Sequence, residues 1–385
     1  MKILIVLTYY RPHISGLTIY AERLAKAFAR HGHEVTILTS QFDKKLLREE
    51  MVDGVRIVRA PVWFRLSKGV IMPTFGWLAS RLVRQSDVIQ LHLPQFDAAG
   101  ISLRSRILGK PTVITYHCDL LLPPGIFNRV ANLAVSFMNW LTAIFTHRIV
   151  TYTQDYAENS DYLQPKKAKV TIIPPPVELP KSNEHKIDSF RQDNNPENLH
   201  PVIGMAARFT TEKGVEVLLD ALPIVLAKYP KALVQFVGPY KNIIGEEEYF
   251  SRLSPRIAEY EQTGNWKFLG SLNPEQMAAF FPNLDVLVLP SLNSTEAFGL
   301  VQIEAMINGI PCVASALPGV RQPVIRHGMG KIFPIGDSTA LAESIIDVIS
   351  HKEKYLHNLT SFEIYEPDAV AREYERLFEK IKMSI

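Results

Sequence analysis

Short apolar runs alternate with amphipathic segments along most of this 385-residue chain, and no other feature limits its fold as strongly. Residues 3–7 form an apolar run typical of a buried strand. Between Leu17 and Phe28 the apolar positions are spaced as one face of a helix, and residues 35–39 indicate a second strand. Repeated strand–helix–strand units predict a parallel sheet with helices on both faces.

The alternation stops near the middle of the chain and then starts again. Pro174 to Pro176 and the polar residues 182–200 are interpreted as a linker and the lead-in to a second domain. The strands predicted before this linker, after the first two, are residues 88–91, 112–116, 149–152 and 170–173. Those predicted after it are residues 202–206, 233–237, 266–269, 286–289 and 311–314. We therefore predict domains at residues 1–175 and 176–362, followed by a helical segment at 363–385.

The composition is that of a globular protein, with 47% apolar and 21% charged residues. The two cysteines, Cys118 and Cys312, match no metal-ligand spacing and are interpreted as incidental thiols. Residues 130–146 lack charge but contain Asn132 and Asn139, so they predict a buried or surface-lying helix rather than a membrane span. With no recognisable secretion signal, we expect a cytoplasmic protein.

Charge is unevenly distributed and predicts an anionic partner for the first half. Residues 1–180 hold 22 Lys and Arg against 13 Asp and Glu, whereas the remainder holds 20 against 26. Between residues 54 and 86 there is no acidic residue. This basic aromatic stretch contains Arg56, Arg59, Trp63, Phe64, Arg65, Lys68, Phe75, Trp77, Arg81 and Arg84. It suits an anionic membrane surface at the inner membrane face, and equally an ordinary solvated face with its aromatic side chains turned inward.

Two other functional classes are disfavoured. The basic residues are scattered and match no nucleic-acid recognition motif, so we expect no nucleic-acid partner. A nicotinamide oxidoreductase would need a Gly-x-Gly-x-x-Gly loop after the first strand, and that loop is absent.

The strongest chemical signal is the segment from Glu296 to Glu304, after the predicted strand at 286–289. A helix is expected to begin near Gly299, so that the free N–H groups of Phe298, Gly299 and Leu300 form an anion site. Eight helical residues span about 12 Å, roughly the distance from a hexose to a ribose across a diphosphate. A glutamate that favours the helix dipole at the N-terminus, together with one solvated glutamate on the helix, would give the same pattern.

Three weaker signals also follow predicted strands. Arg208 and Lys213 follow the strand at 202–206, where two cations can neutralise a diphosphate leaving group. Gly16 ends the first strand–helix loop and would let a phosphate approach closely. His117 follows the strand at 112–116, although a lone histidine is more often structural.

Taken together and in this order, these motifs resemble glycosyltransferase family 4, whose members are retaining enzymes with the GT-B fold. The resemblance rests on Glu296-Ala-Phe-Gly-Leu with Glu304, on Arg208 with Lys213-Gly214, and on Gly16 and His117. The run from Pro318 to Asp337 also matches. The resemblance implies two Rossmann-like domains with parallel sheets facing across a cleft, and a last helix returning to the first domain.

The resemblance also implies a role for each matching residue. Glu296 and the backbone of Phe298, Gly299 and Leu300 would hold the donor sugar, and Glu304 the ribose. Arg208, Lys213 and Gly16 would hold the diphosphate, and His117 would contact the sugar near the reacting carbon. Glu296, His117, Arg208 and Lys213 are the expected catalytic residues.

The family resemblance implies transfer of a hexosyl unit from a UDP- or GDP-sugar to a hydroxyl acceptor, without a metal or other cofactor. The acceptor is expected to be a sugar or a lipid-linked glycan. A sugar-nucleotide epimerase and a non-catalytic nucleotide-sugar-binding protein remain alternatives. The chain departs from the family in having Ser15-Gly16 where two glycines are common and Ala207-Arg208 where Gly-Arg is common.

Overall fold

The computed structural model describes residues 1–66, 69–121, 126–243, 245–356 and 359–384. The chain divides into two compact units, each with its own parallel sheet. Unit 1 comprises Met1–Val177 and Glu363–Ile385, and unit 2 comprises Glu178–Phe362. Among the described residues, no helix combines the length and apolar character needed to cross a bilayer.

Unit 1 is built on an eight-stranded sheet in the order β10-β9-β8-β7-β1-β2-β4-β3, and only β3 is antiparallel to its neighbour. Its strands are β1 Lys2–Val6, β2 Glu34–Gln41, β3 Glu49–Val52, β4 Val55–Pro61, β5 Phe64–Leu66, β6 Gly69–Ile71, β7 Val88–Leu93, β8 Thr112–Tyr116, β9 Arg148–Thr151 and β10 Val170–Ile172. Strands β5 and β6 form a separate antiparallel pair. Its helices are α1 Gly16–Arg30, α2 Phe75–Gln85, α3 Ala98–Ile107, α4 Ile126–Phe145, α5 Gln154–Asn159 and, from the C-terminal end, α13 Pro367–Lys382.

Unit 2 has a six-stranded sheet in the order β13-β12-β11-β14-β15-β16, with every pair parallel. Its strands are β11 Val202–Ala206, β12 Leu233–Val237, β13 Trp266–Gly270, β14 Val286–Leu289, β15 Cys312–Ser315 and β16 Gly330–Phe333. Its helices are α6 Glu184–Asn194, α7 Val215–Lys228, α8 Glu247–Gln262, α9 Pro274–Phe280, α10 Leu300–Ile307, α11 Gln322–His327 and α12 Ser338–Ser350.

The central strands of both sheets are buried on both faces, which is why they read as continuous apolar runs, whereas edge strands such as β3 and β10 are partly exposed. All five residues of β8 and of β12 are buried. Helices such as α7 and α12 pack on the sheet of unit 2 through Leu218, Leu222 and Ile345. The two parallel, helix-covered sheets confirm the predicted α/β architecture.

The last helix joins unit 1 through the face that the sequence predicted. Val370, Tyr374, Leu377, Phe378 and Ile381 are all buried in α13. Because α13 packs against α1, the hydroxyl groups of Tyr20 and Tyr374 come within 2.8 Å of each other. The carboxylate of Glu375 bonds the rings of His31 and His33, at 2.7 and 3.0 Å.

Helix α6 of unit 2 occupies most of the polar stretch at residues 182–200, which the sequence analysis interpreted as linker and lead-in without predicting a helix there. Asn183 caps this helix by accepting from the N–H of Lys186, and only Phe190 is buried. A helix that buries a single apolar side chain leaves almost no periodic pattern in the sequence. Edge strand β16 was missed as well.

Candidate active site

The charged residues that the sequence singled out in unit 2 follow two neighbouring strands. Strands β11 and β14 pair directly, and the chain leaves β11 toward β12 on one side and returns to β14 on the other. This is the point at which strand order reverses, where ligands of open parallel sheets bind. The loop after β11 carries Lys213, and the loop after β14 carries Glu296.

A close backbone approach holds these two loops together. Gly214 adopts a left-handed conformation with φ of 67°, and a Cβ atom there would lie 2.1 Å from the carbonyl oxygen of Pro290. Only glycine tolerates both the backbone angle and the contact. The N–H of Leu292 donates to the carbonyl oxygen of Glu212 at 2.9 Å and fixes the same approach.

Glu296 connects the two loops through its carboxylate. Its Oε2 forms an ion pair with Nζ of Lys213, and its Oε1 accepts from the N–H of Gly299 at 3.1 Å. Both charged side chains are largely buried. The expectation that the Gly299 N–H is free was therefore wrong, because the carboxylate of Glu296 already accepts from it.

Helix α10 begins where the sequence predicted. Gly299 is its N-cap at φ of 77°, and a Cβ there would lie 2.3 Å from a methyl carbon of Leu289. Within the described ranges, no acceptor is bonded to the N–H of Leu300. Glu304 lies on the second turn and is buried, four residues along the helix from Leu300. The first two turns of α10 therefore carry a hydrogen-bond donor, the N–H of Leu300, and an acceptor, the carboxylate of Glu304.

Arg208 does not join Lys213 in this arrangement. Its guanidinium lies 3.4 Å from Oε1 of Glu212 and is half exposed. The loop that carries both cations is fixed by Glu246, whose Oε2 accepts from the N–H and the hydroxyl of Thr211 at 3.0 and 2.8 Å. Sequence reasoning missed Glu246, which lies 35 residues away along the chain.

In unit 1, Gly16 is the first residue of α1, after the loop that follows β1. Ser15 caps the helix, because its hydroxyl accepts from the N–H of Thr18 at 3.2 Å. A Cβ atom at Gly16 would meet nothing within 4 Å. The backbone at this helix start is thus open to solvent, as an anion site requires.

His117 lies at the carboxyl end of β8, and both of its ring nitrogens are bonded to protein. Nε2 lies 2.7 Å from Nδ1 of His92, and Nδ1 is bonded to the hydroxyl of Tyr152. Burial lowers the pKa of His92 to about 3. Burial and the neighbouring His92 hold the pKa of His117 well below its usual range, so both rings are neutral at pH 7.

Further buried hydroxyl groups extend this cluster toward α13. Tyr20 packs edge-on to His117, with ring centroids 5.0 Å apart. Tyr374 bonds both Tyr20 and Thr115, the latter at 2.8 Å. The sequence analysis missed His92, Tyr152, Tyr20 and Tyr374 as neighbours of His117. The available signal was weak: polar Gln90 and His92 alternate within an otherwise apolar strand.

Family models match both units in succession. A model described as Glycosyltransferase Family 4 matches residues 14–181, and one described as Glycosyl transferases group 1 matches residues 186–361. Over its whole length the chain is 27% identical to an uncharacterized glycosyltransferase of Methanocaldococcus jannaschii, 99% of which is covered. It is 26% identical, again over its whole length, to 98% of the phosphatidyl-myo-inositol mannosyltransferase of Mycobacterium leprae.

A solved structure supports the same assignment at the level of the fold. The structure of HepE from Anabaena, in complex with UDP-glucose, matches with a TM-score of 0.78 at 20% identity. The match covers 99% of this chain and 100% of the other. The two parallel-sheet units and the charged loops after β11 and β14 agree with what both family models indicate. The chain therefore belongs to glycosyltransferase family 4 and is a glycosyltransferase of the GT-B fold.

Proposed function

We propose that this protein moves a hexosyl unit, with retention of configuration, from a UDP- or GDP-sugar to a hydroxyl group of a sugar or lipid-linked acceptor. The observation that carries the donor assignment is the pairing of Lys213 with Glu296 where strand order reverses in unit 2. A cation, a carboxylate and a helix start at one sheet edge are what a diphosphate-linked sugar requires.

The donor would change the partners of these groups. The diphosphate would compete with Glu296 for Nζ of Lys213, and Glu296 would then be available to accept from sugar hydroxyls. The N–H of Leu300 would donate to the donor, with Phe298 and Gly299 lining the same backbone. Glu304, buried on the next turn of α10, would accept from the ribose. Arg208 would have to leave Glu212 in order to reach the diphosphate.

The chemical step follows from the family's retention of configuration. The acceptor oxygen would form a bond to the anomeric carbon on the face from which the leaving group departs. The bond between that carbon and the phosphate oxygen would break, and this oxygen would take the acceptor's proton. The products are the glycosylated acceptor and a nucleoside diphosphate. Lys213 and Arg208 would stabilise the charge on the leaving diphosphate, without a divalent metal.

The proposed roles in unit 1 concern Gly16 and His117. The open backbone at Gly16 would approach the diphosphate. His117, being neutral and fixed by His92 and Tyr152, would present its ring edge or its backbone to the donor sugar. Because both ring nitrogens already have partners, a side-chain hydrogen bond to sugar would replace one of them.

A membrane-linked acceptor is supported by the basic aromatic stretch and by the name of one relative, phosphatidyl-myo-inositol mannosyltransferase. Trp63, Phe64 and Trp77 are exposed, as a membrane-facing surface requires, whereas Phe75 is buried. Not all of the cations are available, because Arg59 is buried against Glu50 and Arg56 pairs with Glu49. Arg81 and Arg84 are exposed, and Lys68 lies outside the described residues.

A thermal-shift panel of UDP, GDP, ADP and their common sugar conjugates, without added metal, tests the donor assignment. We expect one nucleotide series to raise the melting temperature, because a ligand of the native state stabilises it in proportion to occupancy. The shift should disappear in Glu304→Ala and persist in Glu343→Ala, an exposed glutamate on α12. If no nucleotide shifts the wild type, or if Glu304→Ala keeps the full shift, the donor assignment is wrong.

A further inference from the structure

Helix α4 of unit 1 exposes large apolar side chains along its outer face. Leu133, Phe137, Trp140 and Ile144 are 73%, 57%, 49% and 48% exposed. Their spacing of four, three and four residues places them in one narrow stripe of the helix. The rings of Phe137 and Trp140 stack, with centroids 5.9 Å apart. We call these four residues the α4 stripe.

The inner face of the same helix carries polar side chains beside the buried Ala143, so its largest apolar side chains are outside. Asn139, Thr142 and Thr146 are buried, and both threonine hydroxyls donate to helix carbonyls one turn earlier. The side-chain oxygen of Asn139 has no hydrogen-bond partner in the part of the chain described. A helix facing water normally has its apolar side chains inside. The outer face of α4 is therefore suited to an apolar environment.

Basic groups flank the stripe at both of its ends. Arg129 is exposed in the first turn of α4. At the other end, Nζ of Lys169 donates to the carbonyl oxygens of Ala143, Ile144 and Thr146, at 2.8, 3.2 and 2.9 Å. These bonds occupy all three of its N–H groups, so the cation available to lipid at this end is Arg106, which is exposed at the end of α3. No acidic residue occurs between Asp119 and Asp155.

Helix α3 continues the apolar surface beside the end of α4. The two helices pack together, and Nη1 of Arg106 lies 3.2 Å from Nε2 of His147, just past the end of α4. Ile107, the next residue, is 74% exposed, and Leu103 lies one turn before it and is also exposed. The apolar surface is thus wider than a single helix.

We propose that the α4 stripe, with Ile107 beside it, lies in the headgroup region of an anionic bilayer, parallel to the membrane plane. An apolar stripe bordered by Lys and Arg is what interfacial helices use, because the apolar groups enter the acyl boundary while the cations contact lipid phosphates. A second protein copy would also cover apolar groups, but cations at both ends of the stripe would then face cations. This inference rests on the membrane part of the proposed function and names the element that carries it.

Vesicle co-sedimentation of the full-length protein tests this assignment. Vesicles are made from phosphatidylglycerol and phosphatidylcholine in equal parts, or from phosphatidylcholine alone, at low salt. We expect the wild type to bind the anionic vesicles and to bind the neutral ones far less. In Phe137→Gln/Trp140→Gln, partitioning should fall roughly tenfold or more, the effect expected when two large apolar side chains are removed from an interfacial helix.

One variant serves as a matched control. Ile325→Gln removes an exposed apolar side chain of unit 2 and should bind as the wild type does. Trp63→Gln/Trp77→Gln alters the basic aromatic stretch, which is also proposed to face the membrane, and should lower binding less than Phe137→Gln/Trp140→Gln does. All variants should keep the wild-type melting temperature and donor-induced thermal shift, so that a failed membrane assignment is distinguishable from a failed donor assignment.

Several results would overturn the assignment. The first is a wild-type protein that does not bind anionic vesicles. The second is a Phe137→Gln/Trp140→Gln variant that binds them as well as the wild type does. Loss of binding in Trp63→Gln/Trp77→Gln alone would move the docking surface to the basic aromatic stretch. A wild-type dimer in sedimentation equilibrium that becomes monomeric in the α4 variant would identify the stripe as a contact between copies.

Discussion

The carboxyl edges of the two sheets are built in opposite ways. In unit 2 the edge is charged, and an ion pair between Lys213 and Glu296 joins loops that follow neighbouring strands. In unit 1, near the carboxyl ends of β7 and β8, the buried rings of His92 and His117 are neutral and bond each other, and the hydroxyl of Tyr152 bonds His117. Charged groups that an anion can recruit suit ligand exchange, whereas a buried, hydrogen-bonded neutral cluster suits fixed geometry.

The comparison predicts that substitutions at the edge of unit 2 change catalysis far more than stability. Glu296→Gln keeps an acceptor for the N–H of Gly299 but removes the charge that holds Lys213. Because this carboxylate is proposed to hold the reacting sugar, we expect kcat/KM to fall by about 10³. Steady-state kinetics on the donor identified by thermal shift would measure this loss.

The matched control for that variant is Glu259→Gln, an exposed glutamate on α8 of the same unit. It should keep wild-type kinetics, and both variants should melt close to the wild type. If Glu296→Gln leaves kcat/KM unchanged, Glu296 has no part in the reaction. The proposed difference between a ligand-exchanging edge in unit 2 and a fixed edge in unit 1 would then be wrong.

A second substitution in unit 2 should affect binding rather than turnover. Glu304 lies one turn into α10 and is proposed to contact the ribose, away from the reacting carbon. Glu304→Gln should therefore raise KM for the donor roughly 10- to 100-fold while kcat changes little. If kcat falls and KM does not, Glu304 acts at the chemical step and the assigned order of contacts along α10 is reversed.

For unit 1 we expect the free energy of unfolding to fall at acid pH. The pKa of His92 is lowered to about 3 and that of His117 is also lowered, so the native state keeps both neutral where the unfolded chain would protonate them. Stability is then full above the unfolded pKa of about 6.5 and is lost as the pH falls toward the native values. For His92, a native pKa of about 3 against about 6.5 in the unfolded chain predicts a loss of about 2 kcal/mol in the free energy of unfolding by about pH 5, and His117 adds a loss of the same sign.

Denaturant titrations across this pH range would separate the contribution of His92. His92→Gln should show a shallower dependence of unfolding free energy on pH than the wild type. His185→Gln, which changes an exposed histidine on α6, should leave the slope as it is. Parallel curves for wild type and His92→Gln would mean that the buried histidine pair does not set the acid sensitivity.

The smallest effect is expected from metal removal. If Lys213 and Arg208 neutralise the leaving diphosphate, extensive dialysis against EDTA should leave the rate of transfer within about twofold of the untreated enzyme. Restoration of a lost activity by Mg²⁺ or Mn²⁺ would show that the cations of unit 2 are insufficient.

The sequence predicted those parts of the fold that repeat a pattern. Buried parallel strands such as β8 and β12 are continuous apolar runs, and α13 shows an uninterrupted helical period from Val370 to Ile381. The start of α10 was predicted because a glycine followed a strand and a short loop. Helix α6 was missed because it buries only Phe190.

Contacts between distant segments could not be predicted in the same way. The neighbours of His117 come from β7, from the end of β9 and from α1, and they depend on sheet order and register. Nor does composition show which face of a charge-free helix is outside. In α4 the side chains of Asn139 and Thr142 are buried while those of Phe137 and Trp140 are exposed, which reverses the usual interpretation of such a pattern.

The most direct test of the central claim is calorimetric titration of the donor found by thermal shift, without metal, into the wild type and into Lys213→Gln. We predict one binding site per chain in the wild type. In Lys213→Gln the affinity should be about tenfold or more lower, because the lost cation faces the diphosphate. Equal affinity in the two proteins, or no heat with any nucleotide sugar, would contradict the placement of the donor at the β11 and β14 loops.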